Sequence, residues 1–392
     1  MRAAGSSESR FDRLPAWQRS GVLALTVLAI CFVLLLLAEA GVRIQNKIKR
    51  GDFWGIEQTY TLDPASGLRI PVPGGHFGPI VINSFGFRSP EISEDKPPGR
   101  LRIAFLGGST TFCGEASSNE MTWPHLVWKA LHERWPGLDL DYINAGVPAY
   151  RTPTLLQALE KRVARFKPDV IVIYEATNDL SFNSSELARE QGLFSLRRWG
   201  VVETATKTLG DFDWLTNHSL LALLIEKNLQ IIRQQQLATG ASGKLRLDTA
   251  WLDAEFRRDY TNLVEASEKV ARIVVTVTFA HRLRVEQTRE QQAALATATY
   301  YMPYMTINDF LTGFSHYNQV IREVASSHHA LLVGGEDTIP ADAKHFDDYV
   351  HFTDAGNEAM ARRVTTALIS SSAFQALVMN TIAVKPASAS PL

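Results

Sequence analysis

Residues Asp169 to Tyr174, DVIVIY, form an unbroken apolar run rich in β-branched side chains. Such a run fits a strand buried on both faces, and a strand of that kind belongs inside a parallel sheet covered by helices on either side. The neighbouring sequence supplies the rest. Arg102 to Leu106 (RIAFL) is a short apolar run closed by Gly107-Gly108, Trp123 to Trp135 has helical spacing, and Leu140 to Asn144 is a second strand. Thr154 to Phe166 is an amphipathic helix that stops before Lys167-Pro168. Ile273 to Phe279 (IVVTVTF) is another buried strand, Ile307 to Ser326 a helix, Ala330 to Val333 a final strand and Asp354 to Leu368 a closing helix. Strands alternating with helices in this order predict an α/β fold, a three-layer α/β/α domain with a mainly parallel sheet over residues 99–375.

The pattern is interrupted between Leu180 and Val270, which reads as a mostly helical insertion over 180–270. It has one helix from Ser219, one from Trp251 and a loop at Ala238 to Gly243, and the apolar stripe of the first helix is expected to pack on the domain. Arg282 to Ala298, polar in its first half, reads as a mobile helical excursion. Asp63 to Glu91 is dense in Gly and Pro, which forbids long helices and predicts short strands and turns, with Asn83 to Arg88 turning between two strands. Residues 43–98 are therefore expected to be a juxtamembrane linker with short strands, and 376–392 a C-terminal tail.

Gly21 to Ala38 carries no charge. As a helix it is roughly 27 Å long, close to the thickness of a hydrocarbon core. Arg13 and Arg19 precede it, and Arg43, Lys47, Lys49 and Arg50 follow it. Ala38-Glu39-Ala40 resembles a signal-peptide cleavage site, but the run exceeds the usual signal core of about 7 to 15 residues, which favours an uncleaved anchor. The expectation is a tail over 1–20, a single-pass signal anchor over 21–42, and the bulk of the chain outside the cytoplasm. A net charge of −1 gives no general field to attract nucleic acid. The two cysteines, Cys31 in the apolar run and Cys113 in the soluble part, are not expected to meet and cannot make a Cys-rich zinc site.

Four short blocks carry chemistry. Gly107-Gly108-Ser109-Thr110 ends the first strand and presents a serine at the carboxyl edge of the sheet, ahead of a helix whose positive end faces developing negative charge. Asn144-Ala145-Gly146 follows the second strand, and a glycine there lets its N–H approach a substrate oxygen. Ala176-Thr177-Asn178-Asp179 follows DVIVIY, where an Asn amide can be aimed at an oxyanion. Asp348-Tyr349-Val350-His351 precedes a helix start at Thr353-Asp354, and the spacing sets a carboxylate against an imidazole. Asp342 and His345 have the same spacing; the later pair is preferred because it lies on an ordered junction. Cys113 reads as a buried thiol, His328-His329 as a surface pair at a helix end, and Tyr300, Tyr301 and Tyr304 as packing.

Together and in this order, from Arg102 to Asn357, the blocks resemble the SGNH/GDSL hydrolase family, whose fold is flavodoxin-like. The resemblance implies Ser109 as nucleophile, His351 as base and Asp348 as its carboxylate partner. It implies an oxyanion hole from the Ser109 N–H, the Gly146 N–H and the Asn178 side chain. Gly108 stands where the commonest form has Asp, and Ala176 where the third block usually has Gly, so the backbone near Asn178 is expected to differ. The implied activity is hydrolysis of carboxylic esters through an acyl-enzyme, with no metal and no cofactor. Substrates would be ester-bearing small molecules, glycans or lipids. An O-acyltransferase using the same acyl-enzyme, or a non-catalytic anchored assembly protein, are the competing readings.

Overall fold

A computed structural model describes residues 14–50, 53, 60–193, 218–226, 228, 229, 232, 244–293, 295 and 302–384. The loop Ala238 to Gly243, Tyr300 and Tyr301 lie outside the described residues. The chain begins with helix α1, Ala16–Arg50, which extends the apolar run well past Ala38. Its apolar side chains face no protein: Leu25, Leu28 and Leu37 are 69%, 64% and 63% exposed. That excludes a buried core helix, and α1 is long and apolar enough to cross a membrane.

Two small antiparallel hairpins follow. Strands β1 (Tyr60–Leu62) and β2 (Arg69–Pro71) pair, as do β3 (His76–Phe77) and β4 (Ile80–Val81). Residues 60–98 are not a linker, because Leu68, Ile70 and Phe87 are buried in the main core. The Arg88 side chain, fully buried, donates to the carbonyls of Phe112 and Cys113. The Asn83–Gly86 turn forms as expected, with Asn83 Oδ1 accepting from the N–H groups of Phe85 at 3.0 Å and Phe87 at 2.9 Å. It does not join two short strands, since the next strand begins only at Arg100.

The central sheet has five strands: β5 (Arg100–Gly107), β6 (Asp139–Asn144), β7 (Val170–Tyr174), β8 (Ile273–Val277) and β9 (Leu331–Val333). Their order is β6-β5-β7-β8-β9 and every pairing is parallel. This is the flavodoxin-like order, in which the first strand stands between the second and third and the connections reverse direction across it. All five residues of β7 are fully buried, which explains their composition. Each such Val or Ile contributes about 1.5–3 kcal/mol by leaving water.

The crossovers between parallel strands carry the helices. Helix α2 (Ser109–Phe112) is a single turn after β5, and α3 (Trp123–Arg134) carries the chain to β6. On the return to β7, α4 (Thr152–Ala158) runs on through a π turn, Leu159–Val163, and a 3-10 turn, Ala164–Phe166, before Lys167 adopts φ 51. Helix α5 (Thr177–Glu190) follows β7 directly. Helix α6 (Thr249–Val270), the end of the expected 180–270 insertion, packs on β8, α4 and the later helix Ile307–Ser327 as part of the layer covering the sheet. Helices α7 (Arg289–Ala293) and α8 (Ile307–Ser327) precede β9. Helix α8 begins with a capping box, in which Thr306 and Asp309 satisfy each other's backbone N–H groups.

Helix α9 (Asp354–Ser370) packs on α3, opposite α4, α6 and α8. After it the chain turns by 78° into α10, Ser372–Val384. Residues 376–384 are therefore helix rather than tail, and Phe374 and Val378, four residues apart, are both fully buried.

Candidate active site

The sheet brings the ends of β5, β6 and β7 to one edge. Gly107 stands opposite Tyr174, and Phe105 opposite Asn144, so the residues that follow each strand emerge side by side. Ser109 opens α2 with Gly108 as its N-cap residue. The helix expected to lend its dipole to the serine ends after four residues, at Cys113 with φ 59, so a macrodipole contribution is small.

Ser109 Oγ lies 2.7 Å from His351 Nε2, across 242 residues of sequence. His351 Nδ1 lies 2.7 Å from Asp348 Oδ2. The other carboxylate oxygen of Asp348 accepts from the backbone N–H groups of Val350 and His351, each at 2.8 Å, which fixes the carboxylate on its own turn. Burial alone would raise the Asp348 carboxyl, but its hydrogen bonds and the His351 charge outweigh that and hold it below the usual carboxylate range. An ionised Asp348 accepts, so Nδ1 carries the proton, and Nε2 of the neutral ring is free to take one from Ser109. For His351 itself, burial would lower the pKa. The hydrogen bond to Asp348 and the nearby charges of Glu115, Asp348 and Asp347 reverse this and raise it to about 9.

The rival pair also forms. His345 Nδ1 is 2.7 Å from Asp342 Oδ1, but it is His351 that meets Ser109. Cys113 is buried, and its burial pushes the thiol up to about 12, consistent with an inert thiol. His328 ends α8 and meets Glu268 at 3.3 Å. Tyr304 is buried against Ser184 and the Ser181 carbonyl.

The expected oxyanion donors are placed unequally. The Ser109 N–H begins a helix and has no acceptor within it. The Asn178 amide nitrogen donates to the Tyr150 carbonyl at 2.8 Å and lies 3.3 Å from Glu175 Oε2. Gly146 does not fit its expected part, because its N–H donates to the Asn144 side chain at 3.0 Å. Its glycine is required for another reason. A Cβ there would fall 2.4 Å from the Phe112 backbone nitrogen, so Gly146 lets the loop after β6 lie against the serine turn. Asn144 clamps the same junction, its amide donating to the Thr111 carbonyl at 3.0 Å. Further along that loop Ala149 has φ 70, and its N–H has no acceptor among the described residues. Ala176, the other departure from the usual pattern, has φ −160, an extended value open to any residue, so an alanine is accommodated without strain.

Three residues around the site were given no role of their own by the sequence. Asp179 is fully buried and accepts from the Thr152 N–H and hydroxyl, which ties the start of α4 to α5. Glu115 contributes charge toward His351. Glu175 is fully buried beneath Asn178. Its one sequence signal is a carboxylate closing an otherwise apolar strand.

A hydroxyl, an imidazole and a carboxylate in a hydrogen-bonded row at the carboxyl edge of a parallel, flavodoxin-like sheet is an arrangement suited to a serine hydrolase. Residues 105–359 match the model of the GDSL-like lipase/acylhydrolase family, and the chain belongs to that family. It is accordingly a hydrolase of ester bonds. No curated protein matches the chain in sequence. Among solved structures, the chain is similar to the acetylxylan esterase Axe2 from Geobacillus stearothermophilus at 16% identity and a TM-score of 0.40, covering 70% of this chain and 95% of that one. A catalytic mutant of the same esterase gives 15% identity and a TM-score of 0.43, covering 71% and 98%. An alpha/beta hydrolase enzyme from the metagenome of Lake Arreo, Spain, gives 14% identity and a TM-score of 0.40, covering 68% and 94%.

Proposed function

We propose that this chain is a membrane-anchored serine esterase that removes acyl groups through a covalent acyl-enzyme, with Ser109 as nucleophile, His351 as general base and Asp348 as the carboxylate that orients it. The observation that carries this reading is the 2.7 Å contact between Ser109 Oγ and His351 Nε2, continued at 2.7 Å from His351 Nδ1 to Asp348. As Ser109 attacks the ester carbonyl, its proton passes to Nε2, and Asp348 stabilises the imidazolium. The leaving alcohol takes that proton. Water then attacks the acyl-enzyme with His351 again as base.

The tetrahedral oxygen is received by the Ser109 N–H and by Asn178, whose longer 3.3 Å contact to Glu175 is the one a substrate oxygen displaces. Helix α1 anchors the enzyme by one span, with the short tail inside and the catalytic domain outside, and directs it to O-acyl groups on surface glycans or lipids.

Two measurements test this. Ser109→Ala should abolish turnover of short-chain p-nitrophenyl esters while the melting curve is unchanged; undiminished turnover refutes the nucleophile. Asn178→Ala should cost roughly 10²–10³ in kcat. A series of esters of increasing chain length then sets the acyl size. Protease shaving of intact cells should degrade the catalytic domain, and full protection would refute the topology.

A further inference from the structure

The Glu175 carboxyl group is used by none of the steps above, yet it touches both loops that carry them. Its Oε1 accepts from the backbone N–H groups of Ala176 at 3.1 Å and Asn178 at 2.8 Å. Its Oε2 lies 3.3 Å from the Asn178 side-chain nitrogen. The Gly108 N–H, at the end of the neighbouring strand, is a further donor to the same carboxyl. The carboxyl thus bridges the turn before Ser109 and the turn that presents Asn178.

Gly108 makes room for it. A Cβ at residue 108 would fall 2.4 Å from Glu175 Oε2, 2.4 Å from Asn178 Nδ2 and 3.2 Å from the Tyr150 carbonyl oxygen. The first two distances are below any real contact, so the carboxyl and the amide occupy the volume a side chain at 108 would need.

We propose that Glu175 is a positioning residue for ester hydrolysis, seated in the space left by Gly108 and holding the Asn178 amide in register with the turn that carries Ser109. The inference rests on the roles given above to Ser109 and Asn178. An Asn amide rotates broadly about its last torsion and must be held from both sides to point one way. Here the Tyr150 carbonyl holds one side throughout, Glu175 Oε2 holds the other until the substrate oxygen takes its place, and the 2.8 Å bond from the Asn178 backbone N–H to Glu175 Oε1 keeps the turn fixed meanwhile. An oxyanion donor has to be aimed to within about 0.5 Å of the developing charge to act at full strength. Burial pushes the Glu175 carboxyl up to about 8, with the charge of Asp179 adding to it, while the N–H donors of Asn178, Gly108 and Ala176 oppose the rise.

The competing role is purely structural, since Glu175 also satisfies the first N–H groups of α5. A lost cap lowers stability without lowering kcat in the molecules that remain folded, so the two roles separate in kinetics. The experiment measures kcat and KM on p-nitrophenyl acetate, with a melting curve, for the wild type, Ser109→Ala, Glu175→Gln, Glu175→Ala, Gly108→Ala and the double variant Gly108→Ala/Glu175→Ala.

Glu175→Gln keeps the shape but turns an NH₂ toward groups that donate. It should lower kcat about 10- to 100-fold, less than the full loss of a donor, with KM nearly unchanged. Gly108→Ala should lower kcat comparably, and its added methyl should cost less when Glu175 is already alanine. Folded Glu175→Gln with kcat within about twofold of wild type, or strictly additive losses in the double variant, overturns the proposal. Should Glu175→Ala fail to fold, Glu175→Gln and Gly108→Ala decide the matter by the same kcat criterion. Turnover surviving in Ser109→Ala is a different result, which defeats the nucleophile instead.

Discussion

At the scale of single residues, charge around the imidazole sets the working pH. With His351 raised to about 9, the proposed base is mostly protonated near neutrality, so kcat/KM should climb through the neutral range and level off only above pH 9. Glu115 is one of the carboxylates responsible. Glu115→Gln should move the acid limb of the kcat/KM profile to lower pH, and an unmoved limb would show that its charge does not reach the ring. The linked effect on stability has a definite sign. A histidine whose folded pKa exceeds its unfolded value stabilises fully below about 6.5, and that contribution is lost as pH rises through about 9. Melting temperature should therefore fall less steeply between pH 7 and pH 10 in His351→Ala than in the wild type. Backbone strain gives a second test. Ala149 sits at φ 70, where a Cβ is disfavoured, so Ala149→Gly should gain up to about 1 kcal/mol in urea unfolding. The part first given to Gly146 shows what sequence conveys at this scale. Its N–H is taken by the Asn144 side chain two residues back, an Asx-type bond that the Asn-Ala-Gly spacing allowed. Glu175 was harder to see, because its partners, Gly108 and Asn178, come from two strands.

At the scale of elements, the strands were readable because their burial is local and repetitive. Five consecutive fully buried residues in β7 leave little choice but a strand covered on both faces. The hairpins at 60–81 span two or three residues per strand, so Gly and Pro density could announce short strands but no period could show that they pack into the core rather than hang as linker. Helix α6 looked like part of an insertion because the residues ahead of it break the alternation, while its packing against α4, α8 and β8 is set by topology rather than by sequence pattern. The β5–β6 pair holds a feature no periodicity reports. The Arg102 side chain, fully buried, makes a two-point contact with Asp141, both bonds at 2.7 Å, and also donates to the Phe166 carbonyl at 2.9 Å. Removing one partner strands the other in a poorly solvated place. Arg102→Ala should cost about 3–5 kcal/mol in denaturant unfolding, while a loss under about 1 kcal/mol would mean that water replaces the pair.

At the scale of the whole molecule, helix α1 and the rest of the chain are distinct in composition yet joined by specific contacts. Glu39, just beyond the uncharged run, accepts from the backbone N–H groups of Leu220 at 3.1 Å and Leu221 at 2.9 Å and from the Ser219 hydroxyl at 2.8 Å. A chain lacking residues 1–50 should be soluble without detergent and keep kcat on a short ester, because no residue of the proposed site lies in α1. The full chain should stay with membranes after alkaline carbonate washing, and release into the wash would show that α1 does not span.

On the roles proposed for them, the 242 residues separating the Ser109 hydroxyl from the His351 ring also govern when the enzyme comes alive. A growing polypeptide carries its serine early but acquires its proton acceptor only after the fifth strand of the sheet has been made. The chain must therefore be made through His351 before the proposed site can cut any ester, and the same long separation lets one proteolytic nick beyond β9 silence that site without touching its serine.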